Sequence, residues 1–403
     1  MEILEKIRAA SAKLHDQAVA HRRHLHAHPE LSFCEENTAI YISEQLRSIG
    51  LEPVRIAGTG VTALINGTLP LKLKNPVVAL RADIDALPIH EQRDHEYRSK
   101  NEGVMHACGH DAHTASLLVT AKILNDLRDH FTGTIKLIFQ PGEEKNPGGA
   151  SIMIREGILE NPRPDVIIGQ HVMPLMNAGR AGFRPGKYMA SSDEIRLKVI
   201  GKGGHAATPE LNTDPVLIAS HIIVALQQVI SRNAGPKQPS VLSFGKVVAD
   251  GATNIVPDEV HIAGTFRAMD EKWREKGLER ITAIATGLAE SMGGKCEVNI
   301  SRGYPVLTND VELTARMKCF AEVYLGKEQV DDLDIALGAE DFAYYSQVVP
   351  ACFYRLGTRN EQKGITSFVH TPTFDIDEDA LAASPGLMAW LAVSELEQLN
   401  NKS

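Results

Sequence analysis

The chain has 403 residues, 43% apolar and 23% charged, with a formal net charge of −9. That is longer than one hydrophobic core usually supports, so two or more globular domains of ordinary composition are expected. The charge is spread without a Lys/Arg block, no charged-then-apolar leader opens the chain, and no apolar run is long enough for a membrane span. These features argue against a nucleic-acid partner, a secretion signal and a membrane protein.

Residues 2–19 predict a helix that runs into Arg22-Arg23-His24-Leu25-His26-Ala27-His28-Pro29-Glu30, where the proline should end or bend it. Of the three histidines only His24 and His28 would share a helical face. No acidic partner sits close by in sequence, so a structural or ligand-supporting role is expected. Residues 35–49 form an amphipathic helix stopped by Gly50. Gly58-Thr59-Gly60 lies between two strand-like runs and reads as a plain turn, since a dinucleotide site needs a helix to follow.

Residues 76–80 predict a buried strand, with Arg81, Asp83 and Asp85 at its carboxyl end. Then comes His106-Ala107-Cys108-Gly109-His110-Asp111-Ala112-His113, which places three imidazoles, a thiol and a carboxylate within eight residues. Thiolate, imidazole and carboxylate together suit zinc, and the imidazole and carboxylate part also suits manganese or cobalt. Gly109 permits the bend that turns Cys108 and His110 toward one ion.

A helix is expected over 112–127, a strand over 134–139 ending in Gln140-Pro141-Gly142-Glu143-Glu144, a helix over 148–158, and a strand over 165–168 followed by Gly169-Gln170-His171. Strand–helix alternation with continuous apolar strands predicts an α/β fold with a mostly parallel sheet covered on both faces. Ligands bind beyond the carboxyl ends of such strands, and the ionisable residues gather there.

After about residue 185 the pattern changes. Residues 194–200 alternate as a half-exposed strand does, and Gly201-Lys202-Gly203-Gly204-His205 reads as a flexible turn. Asp214-Pro215 opens a helix over 216–230. Strands over 240–248 and 259–266, a helix over 271–292 and a strand over 295–300 complete a β-α-β-β-α-β insert of ferredoxin-like order. A helix over 309–325, a strand over 352–357 and a last helix over 377–397, preceded by His370-Thr371-Pro372, return to the first domain. The expected division is 1–187 and 304–403 for the catalytic domain and 188–303 for a lid or dimerisation domain. Five scattered cysteines argue against a disulfide scaffold and for a cytoplasmic location.

Glu143-Glu144 invites two roles, one carboxylate on a metal and its neighbour handling protons at an activated water. Asp83 and Asp85 suit the orientation of a ligand imidazole, with Arg81 neutralising the cluster. His171 and His370 are weak signals alone and ligand candidates beside Cys108 and His110. No C-x-x-C pair, H-E-x-x-H helix or G-x-S-x-G elbow is present. A metal hydrolase fits best.

The stretches Arg22–Phe33, Arg81–Pro88, His106–His113, Phe139–Glu144, Gly169–Pro174, Gly203–Pro209, Asn254–Asp258, Gly264–Ala268, Gly338–Phe342 and His370–Leu381 together resemble the zinc aminoacylase–carboxypeptidase family. The branch is that of hippurate hydrolase, N-acyl-L-amino acid amidohydrolase and the auxin-conjugate hydrolases. The resemblance implies two divalent ions (zinc, manganese or cobalt) held by Cys108 as a bridge and by His110, Glu144, His171 and His370. It implies Glu143 as general base, Asp85 as the carboxylate that steadies the site, and His205 as an oxyanion donor reaching across a homodimer. It also implies that Asn254 and Arg267 hold the substrate carboxylate or the oxyanion. The expected substrate is a small N-acyl amino acid. A dipeptidase or carboxypeptidase with the same site, and a non-catalytic relative, are the alternatives. Gln170 and Ala339 depart from the commoner leucine and serine.

Overall fold

A computed structural model describes residues 2–70 and 75–402. The chain divides into two compact units, one of Met1–Gly186, Thr308–Asp334 and Asp341–Ser403, the other of Lys187–Leu307 and Ile335–Glu340.

The first unit is built on an eight-stranded sheet whose order is Val54–Ile56, Gly60–Asn66, Thr134–Gln140, Val77–Asp83, Val166–Asn177, Ala351–Arg359, Ala181–Phe183, Val330–Asp332. The four central strands are parallel to one another. Antiparallel pairings occur toward the edges. Every residue of Val77–Asp83 and Thr134–Gln140 is buried, as a sheet covered on both faces requires. Register brings the carboxyl ends level, with Asp83 opposite Gln140 and His171 opposite Arg355.

The helix His110–Asp126 begins at the histidine-rich motif and is buried along nearly its whole length. It is tied to the C-terminal helix Ala380–Lys402 by a hydrogen bond between the Ser116 and Ser384 hydroxyls at 2.9 Å and by Thr120 Oγ1 donating to the Pro385 carbonyl at 3.1 Å. The N-terminal segment differs from its expected form. Two helices, Glu2–Lys13 and His15–Ala27, replace one, and the second runs through the histidine-rich stretch to end just before Pro29, as the proline led one to expect. On it Arg22 is buried by ion pairs to Asp111, Asp375 and Glu378.

The second unit holds a four-stranded antiparallel sheet in the order Ser240–Ala249, Glu259–Ala268, Asp193–Ile200, Lys295–Arg302. Ile195, Leu197 and Val199 pack against Ile218, Ile222 and Leu226 of the helix Pro215–Gln228 and Ile281 and Ala285 of Glu271–Ser291. Burying each of the larger aliphatic side chains is worth roughly 1.5–3 kcal/mol. Asp214 caps its helix by accepting from the Val216 and Leu217 N–H groups. By length and composition Pro215–Asn233 is apolar enough to cross a membrane, contrary to the sequence reading, and about 33% of its apolar window is buried within the protein. The expected flexible turn before His205 is ordered instead: Gly204–His205 pairs with Ile255–Val256.

Candidate metal centre

Four segments of the first unit converge at the carboxyl ends of the sheet. Cys108 and His110 are brought together by Gly109, whose φ of +83° lies in the left-handed region and whose position leaves no room for a side chain against Val172. Glu143 and Glu144 follow the strand Thr134–Gln140, after Gly142 passes so close to the Phe33 ring that a Cβ would meet it at 2.3 Å. His171 lies within the strand Val166–Asn177. His370 is delivered from the late part of the chain, its N–H donating to the Ala107 carbonyl at 2.7 Å. Its φ of +61° is strained for a non-glycine residue, a cost of order 1–3 kcal/mol that tends to be concentrated at functional sites.

The donor atoms of Cys108, His110 and His171 all lie within 4.8 Å of one another, and so do those of Cys108, Glu144 and His370. Cys108 is common to both triads. His110, Glu143 and Glu144 form a third such group.

Hydrogen bonds fix the imidazoles in the form that ligation needs. His110 Nδ1 lies 2.9 Å from the Asp85 carbonyl and 3.2 Å from Asp85 Oδ1, so it is the donor and Nε2 is the nitrogen turned away for ligation. His171 Nδ1 donates to the Val172 carbonyl at 2.8 Å, and its Nε2 stands 3.4 Å from Cys108 Sγ. Asp85 is itself held by Ser32 Oγ at 2.6 Å and by the Glu144 N–H at 3.0 Å.

Two buried atoms in this cluster, His110 Nε2 and Glu144 Oε1, have no hydrogen-bond partner among the described residues. His370 Nε2 is 3.1 Å from Glu144 Oε1, yet off the axis a hydrogen bond requires. Two ligands of one ion stand in that relation to each other. Burial works against charge on His110, but without a cation Asp83, Asp85 and Glu144 outweigh it and push its pKa up to about 10, so Nε2 then holds a proton that a metal ion would displace. Burial and the neighbouring Glu144, Glu143 and Asp83 hold the Cys108 thiol far above its ordinary range in the absence of a cation. The cluster therefore gathers carboxylates, a ring nitrogen and a carboxylate oxygen without hydrogen-bond partners, and a thiol that would ionise only beside a cation. These residues fit a divalent metal.

Several contributors are not legible in the sequence. Asp83 does not meet His110 by a hydrogen bond; it takes the proton of His113 Nδ1 at 2.6 Å, and His113 Nε2 accepts from the Val172 N–H at 2.8 Å. That chain fixes the backbone beside His171. Arg81 pairs with Asp83 Oδ2 at 2.5 Å and with Asp341 Oδ1 at 2.9 Å, as a neutralising cation should. The Asp341 N–H donates to Glu143 Oε1 at 3.3 Å and so helps to place that carboxylate. The third histidine of the motif and the aspartate at the strand end were the available signals; their pairing was not. Gln170, which departs from the commoner leucine, accepts from Tyr354 Oη and Ser384 Oγ, each at 2.8 Å, and is absorbed into the buried packing.

Residues 79–392 match the peptidase family M20/M25/M40. The chain belongs to this family. An N-acyl-L-amino acid amidohydrolase of Geobacillus stearothermophilus is 44% identical over 308 residues, covering 76% of this chain and 82% of that one. Thermostable carboxypeptidase 1 of Saccharolobus solfataricus is 37% identical, covering 98% and 99%. A solved structure of a Bacillus subtilis protein, a dinuclear metal-binding peptidase of the M20 family, superposes with a TM-score of 0.82 at 35% identity, covering 96% of this chain and 99% of that one.

The remaining expected site residues lie in the second unit of this M20-family chain. His205 is exposed, and its Nδ1 accepts from the Ala207 N–H at 3.0 Å, so Nε2 carries the proton. Asn254 is its neighbour, with its carbonyl accepting from the Ala206 N–H at 3.1 Å. Arg267 stands apart on the strand Glu259–Ala268, half-buried, with Nε donating to Thr265 Oγ1 at 3.3 Å.

Proposed function

We propose that this chain is a metal-dependent amidohydrolase that cleaves N-acyl amino acids to a carboxylate and a free amino acid. The observation that carries the reading is the pair of donor triads sharing Cys108, with Glu143 buried beside them. The names of the relatives, an N-acyl-L-amino acid amidohydrolase and a dinuclear metal-binding peptidase, support it.

Cys108 would bridge two divalent ions, His110 and His171 completing one set and Glu144 and His370 the other. Bound there, zinc, manganese or cobalt would supply Lewis acidity toward the acyl carbonyl and acidify water. Glu143 takes the proton of the attacking water and delivers it to the departing α-amino nitrogen. Asp85 keeps the His110 ring in place. His205, with the proton on Nε2, is the donor to the tetrahedral oxyanion, and Asn254 and Arg267 receive the substrate carboxylate or share that oxyanion.

His205 serves the centre of a second copy in a homodimer. The apolar Val216, Leu217 and Val224 of one helix and Val247 and Val248 of a sheet edge are exposed on the same unit, which supports an association surface. The division into a catalytic domain of 1–187 and 304–403 and an insert of 188–303 belongs to the same reading. All five cysteines are free, in keeping with a cytoplasmic location.

The carboxypeptidase at 37% identity favours a second reading, in which the acyl group is itself an amino acid. A release assay separates the two. Protein loaded with zinc, manganese or cobalt is given N-acetyl, N-benzoyl and N-indoleacetyl amino acids beside plain dipeptides, and free amine is scored. Turnover of acyl amino acids well above dipeptides is the expected result. The reverse ratio moves the chain to the peptidase reading, and no release from any compound by a metal-loaded protein rejects both.

A further inference from the structure

The fold gives His26 two acidic partners from distant parts of the sequence. Its Nδ1 lies 2.8 Å from Asp111 Oδ2, and Asp111 in turn receives Arg22 Nε at 2.8 Å. Asp111, held by the Arg22 guanidinium, pairs with His26 Nδ1 and so leaves Nε2 as the ring nitrogen turned toward Glu91. A carboxylate behind an imidazole is the arrangement that orients a ligand histidine.

Nε2 of His26 faces Glu91 Oε1 at 3.2 Å. The other oxygen of Glu91 is taken by the Ser99 N–H at 2.8 Å. On its far side Glu91 Oε1 meets His95 Nε2 at 3.0 Å, but no hydrogen bond forms, because the oxygen lies off the axis of the ring nitrogen. The same off-axis approach occurs between His370 and Glu144 at the Cys108 centre. Both ring nitrogens of His95 are buried without a hydrogen-bond partner. The donor atoms of His26, Glu91 and His95 lie within 4.8 Å of one another.

Buried polar atoms left unpaired are costly, so the orphaned ring nitrogens of His95 are not expected of a network built only for packing. A proton on His26 would satisfy Asp111 and Glu91 and leave His95 orphaned. A cation would engage both rings and the carboxylate.

We propose that His26, Glu91 and His95 form a separate divalent-metal site of the two-imidazole, one-carboxylate type that zinc, cobalt or nickel accepts. The His95 side chain is 14% exposed, which gives the ion a route from solvent. The ion would tie residues 90–96, which lack regular secondary structure, to the helix His15–Ala27. Through Asp111 it would also brace the first turn of the helix that carries His110.

The test is anomalous diffraction on crystals of the full chain grown with zinc. A peak among His26 Nε2, Glu91 Oε1 and His95 Nε2, at the about 2.0–2.2 Å typical of zinc ligands, is expected in addition to density at Cys108. Density at Cys108 with none at Glu91 overturns the proposal. In solution His95→Ala should bind one zinc per chain fewer than wild type after desalting, with helix content unchanged by circular dichroism. Cys108→Ala should keep the zinc that His95→Ala loses. Metal content equal to wild type in His95→Ala would equally overturn it.

Discussion

The two sheets of this protein use the same residue types for different ends. In the first unit Val77–Asp83 and Thr134–Gln140 are buried at every position, and Lys136 is tolerated within them only by donating to the Ile158 and Glu160 carbonyls. The other ionisable groups gather where these strands stop, and parallel register brings those stops level. In the second unit Asp193–Ile200 alternates, with Ile195, Leu197 and Val199 inward and Glu194, Arg196 and Lys198 outward. There the charges spread over a solvated face, in pairs such as Lys198 with Glu259 and Arg196 with Glu194. Burial on both faces concentrates chemistry; burial on one face disperses it.

The comparison is tested hardest at Glu143. Glu143→Gln should lower turnover by about 100- to 10,000-fold while the ions stay bound, measured by amine release and metal content together. Loss of metal would show that Glu143 is a ligand and that Glu144 holds the proton role. Arg81→Leu strips the cation from Asp83 and Asp341 and should cost about 3–5 kcal/mol in denaturant unfolding. Burial raises the pKa of Asp83, yet His110 and Arg81 hold it well below the usual carboxylate range. Its contribution is therefore present above that range and lost as pH falls through the folded pKa. The gap between wild type and Arg81→Leu should be full at pH 7 and narrow in acid.

In the second unit His205 is the exception to dispersal. His205→Ala should reduce kcat by about 100-fold or more, the loss of one oxyanion donor, with metal content and melting temperature unchanged. Turnover near wild type would remove it from the site. Asp214→Ala removes a helix cap and should cost about 1 kcal/mol of stability. Lys198→Ala, on the open face, should leave the melting curve where it was, and a measurable shift would show that this face is covered in solution.

What could be read from the chain before folding was whatever was local. The buried strands show as apolar runs, and Cys108, His110 and Glu144 sit in short dense motifs. Asp83 with His113, His26 with Glu91, and Arg22 with Asp111 are pairings across 30, 65 and 89 residues, and no periodicity encodes them. The end of the helix His15–Ala27 was legible from Pro29, but what buries its histidines and arginines was not, since the partners come from residues 91, 111 and 375–378.

Gly109 sets a limit on how this centre can change. A Cβ there would stand 2.5 Å from Val172 Cγ2, next to His171, in a backbone conformation that side chains resist. One substitution outside the ligand set would thus disturb the step from Cys108 to His110 and the seating of His171 together. Anyone re-engineering the enzyme for another metal has freedom in the identity of the donors but almost none in their spacing. The practical route is to exchange Cys108 itself for a harder ligand and leave the bend alone.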